Sequence, residues 1–77
     1  GKLELNTVEK GKDVIIVGMA VEDILKMRLQ AFGIKVGSLV SIKQKGLFGG
    51  AYVITCEGQS IGMRRKDLMK IEVKEDE

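Results

Sequence analysis

LKMRLQAFGIKVGSLVSI, residues 25–42, holds the end of a helix and the start of a strand in one stretch. Leu25, Leu29 and Phe32 fall at i, i+4 and i+7, so they stack along one helical face. Gly33 follows where a helix needs a left-handed terminator, and only glycine takes positive φ without a Cβ penalty. With Gly33 at C′, Ile34 is C″ and Leu29 is C3, the pair that closes a Schellman cap. Val36-Gly37 then reads as the centre of a type II turn, with glycine at the position requiring positive φ. Val40 and Ile42 alternate with Ser41 and Lys43, the period-two pattern of a half-buried strand.

Outward from this stretch the elements are short. Leu5, Val8 and Gly11 form a lead-in with a turn at Asn6-Thr7, and residues 13–17 read as a first, central strand. The helix spans about 21–32, with Glu22 and Asp23 suiting the positive end of its dipole. Strands at 39–45 and 51–56 flank the loop Gly46-Leu47-Phe48-Gly49-Gly50. Glu57-Gly58 is a tight hairpin turn into a strand at 59–63. A short helical turn near 65–69 precedes a last strand at 71–73.

This order predicts a mainly β fold, a small SH3-like barrel of about five strands with one inserted helix. Closing the sheet hides edges that would otherwise aggregate. The expected core is Val14, Ile16, Leu25, Leu29, Phe32, Val40, Ile42, Val53, Ile61, Met63, Leu68, Ile71 and Val73.

Seventy-seven residues make one domain, 1–77, which buries only about 60% of its unfolded surface. A 44% hydrophobic and 31% charged composition is that of a globular protein, and no apolar run approaches bilayer length. No charged-then-apolar leader is visible, and Gly1 in place of an initiator methionine reads as a cleavage scar. The lone Cys56 cannot form an internal disulfide and fits a cytoplasmic setting. Residues 72–77 carry −3 of the net +2, leaving +5 on residues 1–71. The acidic tail, about 74–77, is expected to fray.

Catalysis is poorly supplied. The chain has no histidine, and Cys56 therefore lacks a base to activate it; in its strand it reads as a small buried hydrophobe. The glycine-rich loop at 46–50 lacks the lysine and Ser/Thr of a phosphate-binding loop, and no helix follows it. One thiol without imidazole does not make a tight transition-metal site, so no metal, cofactor or catalytic residue is expected.

Binding through surface remains. Leu47 and Phe48 form an apolar pair at a glycine-flanked loop tip, which costs solvation unless it folds back or meets a partner. Lys43 and Lys45 stand beside the loop and can steer an acidic partner, and Met19 can adapt to an irregular contact. The same loop tip could serve weak self-association. Arg64-Arg65-Lys66 with Lys43 and Lys45 raises a second reading, a nucleic-acid-binding small barrel. Basic clusters without interleaved aromatics are more often solvated faces, so no nucleic acid is expected.

Leu5-x-x-Val8-x-x-Gly11, Arg28-Leu29-x-x-x-Gly33-Ile34-x-x-Gly37, the glycine-rich hairpin, Ile61-x-Met63-Arg64 and Lys70-Ile71-x-Val73 together resemble the FeoA family. The resemblance runs from Leu5 to Val73. Val36 stands where the family usually has proline, while Gly37 keeps the conformational role. The resemblance implies a cytoplasmic, non-catalytic accessory protein of bacterial ferrous iron transport. It also implies, as partner, the cytosolic G-protein domain of the iron permease, with the membrane reached only through that partner. The domain type resembles the C-terminal module of iron-dependent repressors as well. A regulatory role of that kind is the further alternative, less favoured because these residues hold no helix-turn-helix.

Overall fold

In a computed structural model, residues 1–46 and 50–76 are described. The elements are β1 (Leu3–Glu4), a 3₁₀ turn (Leu5–Thr7), β2 (Val14–Met19), α1 (Asp23–Ala31), β3 (Leu39–Gln44), β4 (Tyr52–Cys56), β5 (Gln59–Met63), α2 (Arg65–Leu68) and β6 (Ile71–Glu75). They form one antiparallel six-stranded sheet in the order β1-β6-β2-β3-β4-β5. The fold is the expected small SH3-like barrel, with extents of 30 × 27 × 23 Å, but the sheet is not closed by hydrogen bonds: β1 and β5 are its outer strands.

The helix end follows the Schellman pattern bond for bond. Ile34 N–H donates to the Leu29 carbonyl at 2.8 Å, Gly33 N–H to the Gln30 carbonyl at 3.0 Å, and Gly33 has φ +78°. Two carbonyls that the helix would leave orphaned are thereby satisfied. The type II turn is also formed: Gly37 has φ +96°, and Ser38 N–H donates to the Lys35 carbonyl at 2.9 Å. Ser38 Oγ accepts from Lys35 N–H and donates to the Gly33 carbonyl, which braces the turn against the cap. Gly37 N–H donates to the Ile16 carbonyl at 2.8 Å, and Ile16 N–H to the Ser38 carbonyl at 3.0 Å. The segment after the helix is thus bonded to the central strand before β3 starts.

The core gathers Val14 and Ile16 of β2, Val40 and Ile42 of β3, Met63, Leu68, and Ile71 and Val73 of β6, with Leu29 from the helix. Leu25 and Ile61 pack partly against it. Tyr52, Ile54 and Cys56 of β4, with Leu5, Val8, Val21 and Ile34, complete it.

Several expectations need correction. The strand count is six, because Leu3 and Glu4 pair with Val73 and Glu72 ahead of the 3₁₀ turn. Phe32 is not core but 40% exposed: it is the C-cap residue of α1, and the reversal at Gly33 sends Ile34 under the helix in its place. Val53 is only half-buried, since β4 directs Tyr52, Ile54 and Cys56 inward, with Ile54 opposite Ile42. The helix starts at Asp23, and Val21 is a buried residue before it. β6 continues to Glu75, so Lys74 and Glu75, expected to fray, pair with Ile15 and Val14.

Lys12 Nζ meets Glu75 Oε1 at 2.6 Å across these strands. The bond and the attraction of Lys12 hold the Glu75 carboxyl below its ordinary range, and Glu75 raises Lys12 above its own. The pair is exposed, so water and salt weaken it. A depressed carboxylate contributes stability above its unfolded pKa and loses it as pH falls through its folded pKa. The raised lysine contributes below its unfolded pKa and loses it as pH rises through its folded pKa.

Leu29→Ala should lower urea-measured stability by about 2–5 kcal/mol and Gly33→Ala by about 1–2 kcal/mol, while exposed Ile24→Ala should stay within about 0.5 kcal/mol. Glu75→Gln should flatten the fall of the melting temperature on acidification through the carboxylate range, measured by thermal scans at low salt, with the difference shrinking at high salt.

Candidate partner-docking surface

A nine-residue helix on a small barrel can hide only one of its faces. In α1 that face belongs to Leu29, fully buried, and Leu25, partly buried. Ile24 and Met27, at i and i+3, point away from it and are 78% and 69% exposed. Two apolar stripes therefore run along one helix, and only one of them is absorbed by the core.

Between α1 and the end of β5 lies an open groove of ≈ 380 Å³, lined by Ile24, Leu25, Arg28, Gly62, Met63 and Arg64, with Glu22 and Asp67 also at its margin. Asp67 is buried, and its carboxylate accepts from Arg64 Nε at 2.9 Å and Nη2 at 3.4 Å. The bidentate contact fixes the groove wall where β5 passes into α2. Arg64 itself stays largely exposed beyond this bond, and Arg65 and Lys66 continue the basic margin.

The residues picked out by sequence are not brought together here. Leu47 and Phe48, with Gly49, lie outside the described residues. At the neck of their loop, a Cβ on Gly46 would overlap the Gly50 carbonyl oxygen, so the two ends approach too closely for any side chain at that position. Lys43 is exposed but falls where the β3–β4 register shifts between Ile42 and Gln44. Lys45 lies beyond the end of β3 and is half-buried, so the regular alternation that would pair it with Lys43 is broken. Met19 closes β2 opposite Ile71 and packs partly against the core.

Ile24 and Met27 were missed by the sequence reading. Their i, i+3 spacing was visible, but the neighbouring Leu25–Leu29 stripe accounts for a helix by itself. Smaller apolar exposures occur at Val36 and Leu39 after the helix and at Leu3 and Met69 on the β1 side.

Reactive chemistry is sparse in the described part. Cys56 is buried, with Sγ 3.9 Å from the Gly33 carbonyl oxygen. Burial, and secondarily Glu57, pushes its thiol pKa up, away from the thiolate a nucleophile needs. Among the described residues no three His, Cys, Asp or Glu side chains gather in a way that could hold a metal ion. No helix among them is long and apolar enough to cross a membrane.

No curated protein matches the sequence. Among solved structures, the FeoA protein from Chlorobium tepidum is 22% identical with a TM-score of 0.85, over 92% of this chain and 68% of that one. Iron(II) transport protein A from Clostridium thermocellum is 24% identical with a TM-score of 0.82, over 94% of this chain and 44% of that one. A manganese-dependent transcriptional repressor is 12% identical with a TM-score of 0.84, over 97% of this chain but 42% of the repressor. At these identities the likeness establishes the shared fold. The FeoA domain model itself matches residues 3–75, nearly the full length, and the chain belongs to the FeoA domain family.

Proposed function

We propose that this chain is a non-catalytic accessory of ferrous iron transport that works by docking on the cytosolic G-protein domain of the iron permease. The FeoA domain match over residues 3–75 carries this reading and ties the domain to ferrous iron transport. The surface agrees with a docking role. A small domain that leaves Ile24 and Met27 in water, beside an open groove with a basic margin, displays the apolar centre and charged rim of a recognition patch. The buried, raised thiol of Cys56 and the lack of histidine leave the chain without a ready nucleophile–base pair.

A second reading has one observation in its favour, the TM-score of 0.84 to the manganese-dependent repressor. In it the domain is a regulatory module within a metal-dependent repressor. The two readings differ in what loss of the gene does. The transport reading expects lower uptake of radiolabelled ferrous iron under anaerobic conditions, with metal-uptake transcription unchanged at fixed internal iron. The repressor reading expects derepressed transcription.

The direct test is calorimetric titration of the chain into the permease's cytosolic G-protein domain, with and without guanine nucleotide. Saturable binding is expected in at least one nucleotide state. Absence of heat and of co-elution in every state would refute the docking reading.

A further inference from the structure

A sheet that does not close on itself leaves two outer strands, and natural proteins guard such edges with charge, proline or brevity. Here the outer strands are β1 and β5. β1 is guarded: it is two residues long, contains Glu4 and follows Lys2. β5, Gln59-Ser60-Ile61-Gly62-Met63, has five residues with no charge and no proline. Its inner side pairs fully with β4, from Tyr52 opposite Met63 to Cys56 opposite Gln59. Among the described residues, no backbone hydrogen bond from outside the β4–β5 pair reaches it.

This unguarded edge adjoins the groove against α1. Gly62 and Met63 of β5 and Leu25 and Ile24 of α1 line the same opening. Met63 is buried and Leu25 half-buried, while Ile24 and, one turn along, Met27 rise into solvent. A strand laid along β5 would satisfy backbone groups on one side and cover apolar side chains of α1 on the other.

Charge narrows the occupant. Asp67 is committed to Arg64, so Glu22 is the uncommitted acid in the lining, and it sits at the N-terminal end of α1. Arg28 in the lining, and Arg65 and Lys66 following Arg64, make no ion pair among the described residues. Within the lining the unpaired charges balance, Glu22 against Arg28, and beside it Arg65 and Lys66 outweigh Asp23, so the surroundings of the groove carry a small positive excess on the α2 side. That excess suits an extended polypeptide with apolar residues flanked by acidic ones.

We propose that the free edge of β5 and the Ile24–Leu25 wall of α1 form one docking groove, bordered by the exposed Met27, that takes an extended, acidic-flanked apolar segment of the partner protein by strand addition. This rests on the docking reading above and assigns that function to a site: main-chain bonding along β5 gives affinity, Ile24 and Met27 select apolar side chains, and Arg28 orients the acidic flank. Since Ile24 and Met27 are solvent-exposed, replacing them leaves the core intact.

The test compares binding to the permease's cytosolic G-protein domain by the wild-type chain, the Ile24→Asp/Met27→Asp double variant, Arg28→Glu, and a Lys43→Glu/Lys45→Glu control. Folding is checked by amide NMR spectra, and the milder Ile24→Thr/Met27→Gln pair replaces any variant that unfolds. The groove variants are expected to lose affinity tenfold or more, with Arg28→Glu losing most at low salt and the control within twofold of wild type. Wild-type binding that is untouched by the groove variants would overturn the groove assignment while leaving the docking reading intact. No wild-type binding would sink both. A concentration-dependent dimer abolished by the Ile24→Asp/Met27→Asp pair would give the groove to a second copy and overturn the proposal. Salt-sensitive capture of a labelled single-stranded oligonucleotide by the same residues would overturn it too.

Discussion

The bond from Ile34 N–H to the Leu29 carbonyl, made across Gly33, decides where the helix stops and how the chain re-enters the sheet. A helix continued past Ala31 would carry Ile34 away from the core. Reversed at Gly33, the chain buries Ile34 in the same cluster as Leu29 and delivers Lys35–Ser38 to a turn bonded to Ile16. Because Ile16 belongs to the central strand, the helix is anchored to the middle of the sheet through its own terminus. β2 and β3 share only the short register Val14–Val40 and Ile15–Leu39, so this extra connection reinforces a joint just two residue pairs wide. The strain of φ +78° at Gly33 and φ +96° at Gly37 is what makes glycine the fitting residue at both points.

Anchoring the helix by its end leaves its sides unequal. Leu29 goes entirely inward, Leu25 follows in part, and Ile24 and Met27 are turned to water because one helix of nine residues cannot present two faces to a single small core. Isolated exposed hydrophobes are unremarkable on any protein surface. Ile24 differs in lining a groove whose opposite wall is an outer strand without charge or proline, and Met27 follows it along the helix. The Arg64–Asp67 contact holds the turn into α2 at the mouth of that groove, which keeps the wall in place without covering it.

Local signals in the sequence were sufficient for the cap, the type II turn, the Glu57-Gly58 hairpin and the helical turn before the last strand, since each depends on a few neighbouring residues. They were insufficient where long-range pairing decides. The inward phase of β4 is fixed by Ile54 standing opposite Ile42; the burial expected of Cys56 already implied it, and the placing of Val53 in the core was at odds with that alternation. Phe32 has helical spacing from Leu25, yet a C-cap position swings it to the rim. The irregularity between Ile16 and Gly18 is marked only by the glycine itself, and the one between Ile42 and Gln44, which separates Lys43 from Lys45, leaves no local mark. Outer-strand status is a property of the whole topology, so nothing within Gln59–Met63 could announce it. An apolar loop tip such as Leu47-Phe48 is visible in sequence, whereas a groove made by α1 and β5 exists only after folding.

Amide hydrogen exchange on the chain alone and bound to the permease's G-protein domain tests the central claim most directly, because it reads backbone bonding along each strand. The account predicts new protection concentrated at residues 59–63, with a smaller effect on α1 and none on β1. Unchanged exchange at 59–63, with protection appearing instead at residues 43–50, would contradict it.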